Sequence, residues 1–598
     1  MKKHLGKHST INSTKPTNKP VNNPNISKLD SKISFSETLS LENLKKITLL
    51  KLQRNSLTLV IIAAITAFII KVLLASQTMG TNDIFYWKMF LDVANNYGGI
   101  VLYQQLSWWN HPPMMIHILY IIGLLESTFG ISFNFLLRFF PILADIGSLV
   151  IVYKILKSTN NFSLPKLLLL ALAPTSIMIS GFHGNTDPIM IFFVLLSVYL
   201  IDIDNETLSK LLPGSVYEIL LSNDIGNYHL AGIAMALAVN VKIVPVILAP
   251  CIFFYLPTNK RRLEYILSAT IIWFFTSLPY IFQEPVQILR SIFGYGSFYG
   301  NWGISRILLW CFPFNHWLND FFYNKGKFLV IAIVIIASIW MNLGNKKPHL
   351  FLQVSFIFFL FMSLSPGFGV QYLVWLTPWI VSLGLGATGI FFLTSGLFLF
   401  LVYNWWAAGL PWDVASADVG VWGGVVVHYE LLCWFSIIAL TFIFFSYLVS
   451  EKNSAINAYL AVLRQKNIFV VPVIIFVLFI GAKAFSDLVV KYGSHLYGVQ
   501  GENHQVRQKK VLEITYVGMS SIYFRNGFYK ECIESCNQTL ALNPHSADAY
   551  NNICVSYIKL KEWDKAIEAG NKALQIKPDY PLIKNNIAWA QNQKSANP

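Results

Sequence analysis

Long apolar runs alternate with short polar breaks from Leu57 to Leu488, and residues 328–343, FLVIAIVIIASIWMNL, are typical of the runs. A helix needs about 20 apolar residues to cross the hydrocarbon core of a bilayer. On that measure the pattern predicts about thirteen spanning helices. They lie near residues 57–75, 133–156, 164–182, 187–203, 229–241, 243–256, 263–282, 328–344, 350–366, 371–386, 387–405, 428–450 and 467–488. The pair at 229–256 is short and bends once, at Asn240-Val241-Lys242. Residues 112–129, PPMMIHILYIIGLLESTF, open with Pro-Pro and carry Glu126, so they read as a helix that dips into one leaflet without crossing.

Composition agrees with the pattern. Charged residues are 13% of the 598 and hydrophobic ones 55%, whereas soluble domains carry about 25% charged residues. So much apolar surface requires a bilayer as solvent. The net charge is +15, and residues 1–56 hold 11 Lys/Arg against 3 Asp/Glu with no hydrophobic period. That stretch reads as a disordered basic cytoplasmic tail beside a spanning helix, not as a nucleic-acid-binding arm. Under the positive-inside rule, KILK at 154–157, TNKRR at 258–262, NKK at 345–347, and Lys452, Arg464 and Lys466 then also face inward. The outer face receives 76–132, 183–186, the bend at Lys242, 283–327, 367–370, 406–427 and everything after about 489. The expected setting is a multi-pass protein of a plasma membrane, a bacterial inner membrane first. Six scattered cysteines with no CxxC suggest neither a disulfide framework nor a zinc site.

The C-terminal part has a different pattern. Windows 513–546 and 547–580 repeat at a spacing of 34 residues, matching Tyr516 with Tyr550, Tyr523 with Tyr557, Leu540 with Leu574 and Pro544 with Pro578. Ala566 and Ala573 fall at the close helix–helix positions, where the first window has Cys532 and Thr539. This resembles a pair of tetratricopeptide repeats, helix–turn–helix units of 34 residues, with 581–595 as a closing helix. The chain therefore divides into a tail (1–56), a membrane domain (57–490), a linker (491–511) and a small α-helical repeat domain (512–598), all-α throughout.

The polar residues able to do chemistry cluster on the expected outer face. Asp83 opens an amphipathic helix, with Ile84, Trp87, Val93 and Ala94 at helical spacing; its plain use is electrostatic, at a helix N-terminus. SWWNHPPMM at 107–115 supplies interfacial Trp108 and Trp109 and the imidazole of His111. GFHGNTDPIM at 181–190 sets His183 and Asp187 around a Gly-Asn turn. Asp187 suits a helix cap before Pro188, and a carboxylate with an imidazole also suits hydroxyl activation or metal binding. Lys242 interrupts an apolar stretch, so it needs a salt-bridge partner or a phosphate at the interface. Arg138 either snorkels to headgroups or joins Lys242 at a phosphate. Asp145, inside the same span, reads as a partner for a polar group of the bundle. SPGFGVQYLVWLTPW at 365–379 turns at Gly367 and Gly369 and presents Gln371, Tyr372 and Trp375 for hydrogen bonding and stacking.

Taken in order, Asp83, HPP at 111–113, RFFPILAD at 138–145, HGNTDP at 183–188, AGIAMALAVNVKIVPVI at 231–247, NWGI at 301–304 and QYLVWLTP at 371–378 resemble the GT-C superfamily of polytopic glycosyltransferases. Within it, the chain is most similar to polyprenyl- or dolichyl-phosphate-mannose-dependent mannosyltransferases. The resemblance implies a lipid-phosphate-linked sugar donor and inverting transfer, with mannose the favoured sugar, to a hydroxyl of a glycan, glycolipid or protein acceptor. It implies Asp83 as general base and Lys242 with Arg138 on the donor phosphate. Asp187, His183, His111 and Asp92 would support or orient the acceptor, and Gln371, Tyr372 and Trp375 would line the substrate site. Members that use a divalent cation, Mg²⁺ or Mn²⁺, would hold it through Asp83 and Asp187; here no cofactor is assigned. Two departures stand out: Asn82 precedes Asp83 where a paired acid is common, and the repeat tail is not a general feature of the family.

Three other readings compete. A protein hydroxyl is an alternative acceptor, with the repeats recruiting the polypeptide. A lipid-linked-sugar transporter or flippase would need charged mid-membrane pathways and inverted repeats, and the spans show no internal symmetry. A scaffold that displays the repeats needs only one or two membrane helices.

Overall fold

The computed structural model describes residues 41–106, 108–294, 298–344, 346–420, 422–452 and 504–596. The expected span at 467–488, Arg464 and Lys466, and the tail before Leu41 lie outside these residues. The first helix, Leu41–Gln77, begins inside the stretch read as a structureless tail. Its opening residues, LENLKKITLLKLQ, are good helix formers contiguous with the apolar run. The helical bundle, its site and the repeats all belong to the unit Val60–Pro598.

The described chain is helical, with only two pairs of two-residue strands. Six helices among the described residues are long and apolar enough to cross a membrane: Ser56–Gln77, Phe133–Ser158, Leu164–His183, His316–Asn342, Leu385–Trp406 and Val425–Lys452. Of the thirteen stretches expected, six fall in these helices, and 467–488 lies outside the described residues. Met114–Phe129 and Leu350–Leu364 are apolar but short, as is Val244–Tyr255. The expected span at 371–386 is not a spanning helix. It folds as two short 3₁₀ turns, Val370–Trp375 and Ile380–Ser382, because Gly369, Pro378 and Gly384 punctuate it.

Ile61, Ile62, Ile65, Ile69 and Leu73 are all exposed along the first of the six long helices. An apolar stripe of that length, left uncovered by protein, is what lipid would cover. Inside, small residues allow close packing. Helix Asn227–Val241 lies against Asp187–Asp202 and Asn259–Ile281. A Cβ on Gly232 would come 2.3 Å from the Tyr265 carbonyl oxygen, so only glycine fits that crossing.

Among the described residues, five helices make the C-terminal part: His504–Arg525, Tyr529–Leu542, Ala547–Lys559, Trp563–Ile576 and Pro581–Ala596. The first starts within the stretch 491–511 read as a linker. Ala566 and Ala573 are fully buried, and so are Cys532 and Thr539 one repeat earlier.

This part packs directly on the larger body. Phe85 meets Tyr516 edge-on at 5.7 Å, and Tyr97 donates to Glu531 at 2.8 Å. Gln508 accepts from the Val414 amide at 2.8 Å and donates to the Ala407 carbonyl.

Candidate functional site

Two glycine turns bring Asp83 to His183. Gly80 (φ +80°) and Gly184 (φ +81°) adopt left-handed conformations that cost glycine little. Both close on Ile84, which a Cβ at either position would strike at 2.4 Å and 2.3 Å. Gly184 ends a π-helical turn, Ile177–His183, a local widening that often marks functional sites. The Thr81 hydroxyl ties the two segments by donating to the His183 carbonyl at 2.6 Å. Strand Gly80–Thr81 pairs in parallel with Val414–Ala415, which fixes the entry to helix Asn82–Tyr97.

The result is a braced carboxylate. His183 Nε2 lies 3.0 Å from Asp83 Oδ2, and the Asn185 amide donates to the same oxygen at 3.2 Å. On the far side of the ring, His183 Nδ1 lies 2.9 Å from the Tyr403 hydroxyl. An ionised carboxylate only accepts, so Nε2 carries the hydrogen, and a neutral ring then accepts the Tyr403 hydroxyl at Nδ1. No described hydrogen bond goes to Asp83 Oδ1, and the side chain is 32% exposed. Burial pushes the Asp83 carboxyl up, but the His183 hydrogen bond, the Asn185 amide and the Lys242 charge outweigh it and hold it below its ordinary value.

Beside this lies a buried cation. Lys242 ends helix Asn227–Val241 and reaches both oxygens of Asp187, at 2.8 Å and 3.2 Å. Asp187 is fully buried and also accepts from the Trp375 indole at 2.9 Å. The lysine sits over the rings of Tyr372 and Trp375, at 4.7 Å and 5.3 Å from their centroids, and the two rings stack at 4.1 Å. Each group thus desolvates its neighbour and compensates it. His111 lies against Trp87, and burial together with the Lys242 charge pushes its imidazole down to about 3, so it is neutral at pH 7.

The structure therefore gathers Asp83, His183, His111, Asp187, Lys242, Tyr372 and Trp375. It separates others. Arg138 is fully buried and spends its guanidinium on the carbonyls of Ala75, Thr78, Asn134, Gly181 and Phe182 and on the Thr78 hydroxyl. It pins the site's backbone and shares no described contact with Lys242. Asp92 is nine residues along the helix, about 13 Å, and pairs with Lys88 at 3.4 Å. Gln371 is half-buried, its amide lies close to Gly369, and it shares no described contact with Lys242. Asp187 faces Lys242. Among the described residues no group of three or more His, Cys, Asp or Glu is arranged to hold a metal ion.

Sequence reasoning missed Asn185, Tyr403, Asn82 and Asp418. Asn82 donates to Asp418 Oδ2 at 3.2 Å and accepts from the Ala417 amide, tying the Asp83 helix to a segment 336 residues on. It missed Glu430 and Arg306 as well, a buried pair at 2.7 Å capped by the Trp422 indole.

Residues 547–580 match the family model of the tetratricopeptide repeat. The C-terminal part carries a tetratricopeptide repeat. Repeats of this kind suggest protein–protein interaction, and here the module packs on the helix that carries Asp83. Over 62 residues the chain is 40% identical to the DnaJ homolog subfamily C member 3 homolog of Dictyostelium discoideum. That match covers 10% of this chain and spans about an eighth (12%) of the relative's length.

Proposed function

We propose that the chain is a membrane glycosyltransferase that moves a sugar, mannose in the first instance, from a polyprenyl-phosphate donor to a hydroxyl of a glycan or glycolipid acceptor. The helical bundle acts as a GT-C-type membrane domain, with the site on the outer face and the repeats outside the cytoplasm. The observation that carries this reading is the Asp83 carboxylate. One oxygen is held by His183 and Asn185, the other has no described partner, and the group stays ionised.

In the proposed step the acceptor oxygen attacks the anomeric carbon as its proton passes to Asp83 Oδ1. The bond from that carbon to the phosphate oxygen breaks with its electron pair, and configuration inverts. Asn185 and His183 hold Asp83 in place, and Tyr403 fixes the ring of His183. Lys242 carries the positive charge that reaches Asp83 and offsets the charge developing on the departing phosphate, with Asp187 orienting it. Tyr372 and Trp375 wall the cation from water.

The test compares wild type with Asp83→Asn in detergent, with radiolabelled polyprenyl-phosphate mannose as donor and a lipid and glycan extract as acceptor. A lost general base should lower transfer by about 100-fold or more, with donor binding retained. Full transfer by the variant would remove Asp83 from the chemistry. Donor binding without transfer by either protein would favour a lipid-linked-sugar transporter.

A further inference from the structure

Helix Asn82–Tyr97 carries a second polar feature, one residue from Asp83, that the proposed transfer step does not use. Tyr86, one turn after Asp83, donates to Asp418 Oδ2 at 2.8 Å. Asn82 donates to that same oxygen at 3.2 Å, and so does the Ser416 hydroxyl, also at 3.2 Å. Three donors thus fix one oxygen of Asp418, while no described hydrogen bond occupies Oδ1. The residue itself is exposed.

Against Tyr86, edge-on at 6.0 Å, stands Trp108, 52% exposed although its neighbour Trp109 is completely buried. The far wall is the first helix of the repeat module. Gly518 lies so near that a Cβ there would approach Asp418 Oδ2 to 3.2 Å and the Tyr86 hydroxyl to 3.7 Å. Any side chain larger than glycine would crowd that oxygen and the phenol.

An open aromatic face beside a pre-oriented carboxylate oxygen and a phenol is suited to a hydroxyl-rich ring. The indole covers an apolar C–H face, and the carboxylate accepts from hydroxyls at the rim. Asp418 is near enough to Asp83 for the two charges to register on each other. We propose that Tyr86, Trp108 and Asp418 form the acceptor subsite, that its ligand is a saccharide and not a polypeptide, and that Gly518 of the repeat module walls it. This deepens the transferase reading and rests on it for the acceptor role. The sugar-binding claim stands by itself.

The test therefore measures binding without turnover. Full-length protein in detergent is titrated with mannotriose, maltotriose, chitotriose and a Ser/Thr-rich peptide, read by isothermal calorimetry. At least one trisaccharide should bind. Trp108→Ala and Asp418→Asn should each weaken it about tenfold or more, and Trp108→Phe should recover most of the loss. Gly518→Ala, the smaller intrusion, should also weaken binding. Binding of the peptide with the same mutational pattern would overturn the saccharide assignment. No trisaccharide binding, or binding indifferent to Trp108→Ala, would overturn the subsite. Trisaccharide binding that behaves as expected, in a protein that transfers no sugar, would retain the subsite and sink the transferase.

Discussion

At the scale of single residues, the site depends on which oxygen of each carboxylate is already taken. Asp83 keeps Oδ1 open because His183 and Asn185 both bind Oδ2. The carboxyl is lowered, so its protonation should not limit activity until the pH falls below its ordinary value of 3.8. In His183→Ala the lowering contributions of the ring disappear while burial still raises the group. The acidic limb of the pH–rate profile should then move to higher pH, and an unmoved limb would detach His183 from Asp83. The sign for stability is the same. The lowered group contributes fully above its unfolded value, about 3.9, and the contribution fades as pH falls through the lower folded value. Tyr403→Phe should leave His183 Nδ1 without its partner, a buried loss of about 1–3 kcal/mol. If that loss reaches ring orientation, kcat falls about tenfold for each 1.4 kcal/mol with acceptor KM unchanged.

At the scale of elements, the buried pair Lys242–Asp187 links helix Asn227–Val241 to helix Asp187–Asp202. Removing one partner strands a charge, so Lys242→Met or Asp187→Asn should each cost about 3–5 kcal/mol. The double replacement should cost less than the two singles together, as thermal unfolding of the four proteins in detergent will show. The Gly232 crossing has no such relief. Gly232→Val should destabilise by about 1–3 kcal/mol, since the opposing atom is main chain.

Elements also show what the sequence made legible. The repeat register could be read because 34-residue periodicity is local, and the buried Ala566 and Ala573 sit where it put them. Asp83, His183, Asp187 and Lys242 stood out because each is polar at the end of an apolar run. Tyr403 did not, since it lies within the apolar helix Leu385–Trp406 and its partner is 220 residues away. Arg138 was visible as a charge, but only the fold revealed that carbonyls surround it. The stretch 371–386 read as a span because its composition is apolar; its Gly and Pro residues decided otherwise.

At the scale of the molecule, the repeat module is part of the scaffold under the site. Gln508 satisfies the amides of Asp413 and Val414 and the carbonyl of Ala407. Gln508→Ala should leave these groups unpaired at a cost of about 1–3 kcal/mol. Faster amide hydrogen exchange across 413–415, with little change in the repeats themselves, is the expected signature. Exchange unchanged at 413–415 would mean the contact carries no load.

The parallel pairing of Gly80–Thr81 with Val414–Ala415 joins segments more than 330 positions apart. A ribosome adding about 5–20 residues per second needs roughly 17 to 67 seconds to cover that distance. Throughout that interval the Asp83 helix has neither its strand partner nor Asp418 to hold its first turn. A nascent chain therefore carries Asp83 on a helix whose first turn still lacks the strand and the carboxylate that fix it in the finished fold.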